Sequence, residues 1–155
     1  MPQAASVTFL VLLIAGGFFV FFSFLLAMLS IIGGWHRLAK KYATKAKPEG
    51  KRFYMVSGRV GIVSYGNCLN VVVGESGLYL SMFPIFRAFH SPLLIPWHDL
   101  HGFREWPSWL PKWSIFQPFH SVAFDVGLPV LAKMKLPHEV LEKGLKTLGL
   151  DMGNC

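Results

Sequence analysis

The sequence predicts one N-terminal transmembrane α-helix followed by a small mainly-β domain, an antiparallel barrel or sandwich with a C-terminal capping helix. Three observations predict this class. Residues 7–32 form an uncharged run of 26 whose only polar members are Thr8, Ser23 and Ser30. After residue 52 the chain breaks into short apolar runs separated by turn residues. Near its end, apolar residues recur at helical spacing. The expected organisation is a tail (1–6), a spanning helix (7–34), a basic juxtamembrane segment (35–52), a β domain with its helix (53–150) and a tail (151–155).

A helix of 26 residues is about 39 Å long, against a hydrocarbon core of about 30 Å. A cleaved signal peptide would carry a basic n-region and a shorter apolar core. Residues 1–6 contain no basic side chain, so the segment is expected to be retained. One stripe of the helix is small: Gly16, Ser23, Ala27, Ser30 and Gly34 recur at intervals of seven, four, three and four. Small residues let backbones approach closely in lipid, so the stripe is a candidate helix-packing surface for a homodimer or a larger integral-membrane complex. Glycine and serine are common in spanning helices, so chance explains the stripe equally well.

Charge sets the expected orientation. Arg37, Lys40, Lys41, Lys45, Lys47, Lys51, Arg52 and Arg59, opposed only by Glu49, account for the whole net charge of +7. The rest of the chain is neutral. A pI near 9.7 invites a nucleic-acid reading, but cations placed directly after an apolar span fit the positive-inside rule and an anionic leaflet better. No nucleic-acid partner is expected. The N-terminus should lie outside and the domain in the cytoplasm of an inner or plasma membrane. Trp35, Arg37, Lys40, Lys41, Lys45 and Lys47 are expected at the membrane surface, with Trp35 and Tyr42 in the headgroup zone that amphipathic rings favour.

The segment 37–46 has good helix formers and can extend the span until Pro48-Glu49-Gly50 stops it. Strands are expected at 53–56 and 60–65, divided by Ser57-Gly58. Further strands fall at 69–73 and 78–83, joined by the hairpin Gly74-Glu75-Ser76-Gly77, and at 93–95. Strands at 121–126 and 130–136 flank Gly127-Leu128-Pro129. Pro137 opens a helix over 138–150, with Val140, Leu141, Leu145 and Leu148 on one face.

Strands followed by one helix, with Asn70-Val71-Val72-Val73, Gly77-Leu78-Tyr79-Leu80-Ser81 and Leu94-Ile95-Pro96-Trp97-His98-Asp99-Leu100, resemble small bacterial membrane-linked domains of the pleckstrin-homology-like or GRAM-like type. The resemblance covers roughly residues 53–150 and rests on packing signatures. It implies a binding or scaffolding role at membranes and carries over no catalytic or binding residue.

Catalytic patterns are weak. His98 and His101 flank Asp99, but an i, i+3 pair shares a face only in a helix, and this stretch reads as strand or turn; both are expected to be polar surface histidines. His36, His90, His120 and His138 are scattered and the eight carboxylates form no apolar-flanked pair. Cys68 and Cys155 suit unpaired thiols in a reducing compartment. No cofactor or metal is expected. The aromatic run Trp97, Phe103, Trp106, Trp109, Trp113 and Phe116 fits neither strand nor helix period around 105–112, so Trp106, Trp109 and Trp113 form a candidate interface loop, facing lipid or protein, or else filling the core. The leading expectation is a non-enzymatic membrane-anchored accessory or scaffold subunit. An anionic-lipid-binding module and an unrecognised membrane-bound enzyme are the alternatives.

Overall fold

The computed structural model describes residues 2–106 and 121–149. Its first element is the apolar helix α1 (Pro2–Ile32), of which Ser6–Ile32 is long and apolar enough to cross a membrane. From Val7 to Phe24 its large apolar side chains stand exposed, except the half-buried Phe22. That arrangement is stable only where lipid or another helix replaces water. The last turns are different: Leu26 and Ser30 are buried against the rest of the chain.

The helix does not run on into the basic segment. Gly33 and Gly34 break it, Gly34 in the left-handed region at φ 80°, a conformation glycine adopts without a Cβ penalty. A separate helix α2 (Trp35–Tyr42) then turns its apolar face inward, burying Trp35, Leu38 and Tyr42. The expected continuous juxtamembrane helix is therefore corrected. The 3.6-residue period that suits a helix on a membrane surface here packs α2 into the domain core.

Seven strands follow: β1 (Lys51–Val60), β2 (Val63–Gly74), β3 (Gly77–Met82), β4 (Leu93–Ile95), β5 (Leu100–Trp106), β6 (Ser121–Val126) and β7 (Ala132–Pro137). They form one antiparallel curled sheet in the order β4-β3-β2-β1-β7-β6-β5. Two expected strands, at 60–65 and 69–73, merge into β2, and Ser57-Gly58 lies inside β1. A Cβ at Gly58 would meet Leu69 Cδ1 at 2.8 Å and Leu136 Cδ2 at 3.0 Å. The glycine marks a close approach within a strand. The turn falls at Gly61-Ile62 instead. The hairpins at Gly74–Gly77 and after Val126 lie where the turn residues place them.

The alternation along β6 and β7 sends Val122, Phe124, Val126, Met134 and Leu136 into the core. Helix α3 (His138–Thr147) adds Val140, Leu141 and Leu145 to the same cluster that takes Trp35 and Leu38 from α2. The strand edge at β4 is covered by the end of α2: Ala43 bridges Leu93, and Thr44 N–H donates to Pro92 O at 2.9 Å. A short 3-10 helix, Pro84–Phe89, links β3 to β4.

Candidate functional site

The joint between α1 and the sheet is made of close backbone and side-chain contacts between distant parts of the chain. Gly33 fits against Val63, whose Cγ2 would lie 3.0 Å from an added Cβ, and a Cβ at Gly61 would meet Gly33 O at 2.4 Å. Backbone therefore meets backbone where the apolar helix reaches the β1–β2 turn. Ser30 Oγ donates to Phe89 O at 2.7 Å, and Phe22 packs on Phe86 with ring centroids 6.3 Å apart. Phe22 lies ten residues before the end of α1, about 15 Å along its axis. The 3-10 helix Pro84–Phe89 consequently runs beside the lower part of α1.

Beneath it lies a buried aromatic node. Trp35, Tyr65 and His90 meet edge to face, with centroids 5.2–5.8 Å apart. Their polar atoms are accounted for. Trp35 Nε1–H donates to Ser91 O at 3.0 Å. Phe86 O can only accept, so His90 Nδ1 carries the proton that it receives at 3.1 Å. His90 Nε2 then accepts from the Tyr65 hydroxyl at 3.2 Å. Burial holds the imidazole below its ordinary value against the opposing pull of Phe86 O, and burial pushes the Tyr65 phenol up to about 12.

Protonation linkage gives this node a testable signature. The folded state disfavours the His90 cation, so the unfolded chain binds the proton first. Stability is fully present above the free-imidazole value of about 6.5 and is lost as pH falls through and below it. Denaturation of the full chain in detergent at about pH 7.5 and about pH 5.5 should show that loss, and His90→Phe should flatten it. An unchanged slope in the variant would place the titrating group elsewhere.

The far end of α2 is tied down too. Tyr42 Oη donates to Asp99 Oδ2 at 2.7 Å and Lys41 Nζ lies 3.1 Å from the same oxygen. These two bonds hold the Asp99 carboxylate below its ordinary range. Asp99 therefore anchors α2 to the segment before β5. His98 is a surface residue, as expected, whereas His101 is half-buried and its Nε2 has no partner among the described residues. No group of three or more His, Cys, Asp or Glu side chains able to hold a metal occurs among the described residues.

The expected membrane-surface residues divide. Arg37, Lys40, Lys41, Lys45 and Lys47 are exposed. Trp35 is fully buried and Tyr42 nearly so, which corrects their placement among headgroups: both rings fill the domain core. The small-residue stripe divides as well. Gly16 has nothing within 4 Å, and Ser23 and Ala27 are half-buried. Ser30 and Gly34 are corrected: the first is bonded within the chain and the second caps α2.

Within the aromatic run, Trp97 Nε1 donates to Gly74 O at 2.9 Å, and Phe103 packs on Phe124 with centroids 5.5 Å apart. Trp106 ends β5 opposite Ser121. Trp109 and Trp113 lie outside the described residues. The run 83–90, similar in character to the aromatic run, reads from the sequence as a second apolar loop. Phe83, Ile85 and Phe89 are exposed around the 3-10 helix, and Ile62 is 75% exposed at the β1–β2 turn.

No family model, curated protein or solved structure matches the chain.

Proposed function

We propose that the chain is a non-enzymatic, membrane-anchored accessory subunit. In this reading α1 spans the bilayer and is retained, and the β domain braces an integral-membrane complex, or a second copy of the chain, from the cytoplasmic side. The observation that carries it is the joint. A helix exposed along most of its length is seated on the domain by Ser30, Gly33 and Trp35 through buried contacts. An anchor that only tethered the domain would need none of these. Burial of Leu26 and Ser30 within the fold supports retention of the helix, since cleavage would uncover the face they cover.

Exposed Arg37, Lys40, Lys45 and Lys47 support the cytoplasmic orientation. Exposed Phe83, Ile85 and Phe89 beside α1 support a domain pressed into the interfacial zone, where apolar side chains leave water. The pleckstrin-homology-like or GRAM-like resemblance belongs to the same reading and is supported by the curled antiparallel sheet with its C-terminal helix.

Purification from native membranes in mild detergent, followed by mass spectrometry, tests the proposal. A stable companion or a dimer is expected, and a strictly monomeric, partner-free chain would overturn it. Gly16→Leu sharpens the test. Gly16 has open space around it, so the variant should keep wild-type thermal stability while losing the companion, because the larger side chain blocks close helix approach.

A further inference from the structure

The face of the sheet opposite the helices carries a second site. Paired residues in adjacent strands point the same way, so the register Arg59↔Lys135, Lys135↔Ala123 and Ala123↔Arg104 aligns one row across β1, β7, β6 and β5. The next row brings Lys133 opposite Asp125. Together they line a cavity of about 130 Å³, roughly ten times the volume that one water requires. Among the described residues that line it, four cations meet a single carboxylate, and Ala123 at the centre leaves room between them. Arg59 and Lys135 lie directly opposite one another, a like-charge pair across the strands. Burial and the neighbouring Arg59 charge hold the Lys135 ammonium below its ordinary value.

Two details turn the cluster into a cradle. Arg59 Nε donates to Ser64 Oγ at 3.0 Å, which orients its guanidinium, and Arg104 Nη2 lies 3.3 Å from Asp125 Oδ2, which orients the other. Guanidinium forks match phosphate oxygens in bidentate geometry and ammonium groups supply point charge. The cavity also has a definite position. Gly61 lines it, and Gly61 is the residue that abuts Gly33 at the foot of α1. The site therefore opens at the end of the sheet from which the apolar helix departs.

We propose that Arg59, Lys133, Lys135 and Arg104 form a binding site for a phosphate group, carried either by a membrane lipid as a phosphomonoester headgroup or by a soluble phosphate. The lipid source rests on α1 being a membrane anchor, and the phosphate chemistry does not. The full chain in phosphatidylcholine nanodiscs, with and without phosphatidic acid, provides the first arm, read by lipid retention in native mass spectrometry. Inorganic phosphate added to the phosphatidylcholine discs provides the second. Failure to enter nanodiscs would count against the anchor alone, and phosphate binding would then be measured in detergent.

The double variant Arg59→Gln/Lys133→Gln should weaken binding at least about tenfold, since each contact to a charged group contributes on that scale. Lys51→Gln/Arg52→Gln removes the same charge from the opposite end of β1 and should change it little. Both residues of the first pair are exposed, so thermal midpoints should match wild type. Enrichment in the lipid arm alone identifies a headgroup site, and binding in the inorganic arm alone identifies a soluble phosphate. Binding in neither arm, or equal losses in the two double variants, would overturn the proposal.

Discussion

Truncating Trp35 to alanine is expected to destabilise the folded chain by about 3–5 kcal/mol, the range for removing a large buried aromatic. The ring is fully buried between Tyr65 and His90, and its Nε1–H bond to Ser91 O would be lost as well. Loss of that part-buried hydrogen bond adds to the cavity cost. Guanidinium denaturation of the full chain in detergent measures the loss. Trp35→Phe separates the two contributions, because it keeps most of the edge-to-face packing and removes only the donor. A midpoint close to wild type for Trp35→Ala would show that α2 lies on the surface, as the charge pattern alone suggests.

Gly61→Val should produce the second large effect, about 2–5 kcal/mol when left-handed strain and overpacking are combined. Gly61 has φ 58°, a region closed to β-branched residues. Its added Cβ would also meet Gly33 O at 2.4 Å. That neighbour is backbone, so it cannot rotate aside. The β1–β2 turn or the foot of α1 must move, and hydrogen exchange should rise at both while the β6–β7 hairpin stays protected. Uniform loss of protection across the sheet would mean that the joint and the domain unfold as one unit. Gly66→Val is the matched control, since Gly66 has nothing within 4 Å and lies in the adjoining strand β2.

Several elements were legible because their signal is local. The apolar run of α1 declares itself by length and absence of charge. The β2–β3 hairpin follows from Gly74-Glu75-Ser76-Gly77, and β6 follows from strict alternation through Val122, Phe124 and Val126. Pro137 marks the start of α3, although the structure ends that helix at Thr147, with Leu148 and Gly149 in its C-terminal turn. Gly58 misled because a glycine inside a strand and a glycine in a turn look alike until the strand that crosses it is known.

An apolar helix of spanning length, a cationic segment behind it and a β domain closed by a helix could all be read from the residues alone. Each of those follows from near-neighbour pattern: run length, charge placement and period. The folded chain, and not local pattern, places Trp35 and Tyr42 in the core, bonds Ser30 to Phe89 across 59 residues and joins His90 to Tyr65 and Trp35. It likewise decided that Arg59, Arg104, Lys133 and Lys135 share one face. Those are contacts between residues far apart in the chain, and they exist only once strand register has fixed which side each residue faces. The apolar helix thus changes in character. A segment whose length and composition suit a membrane span is seated on the domain by its last turns, while its large apolar side chains from Val7 to Phe21 stand exposed.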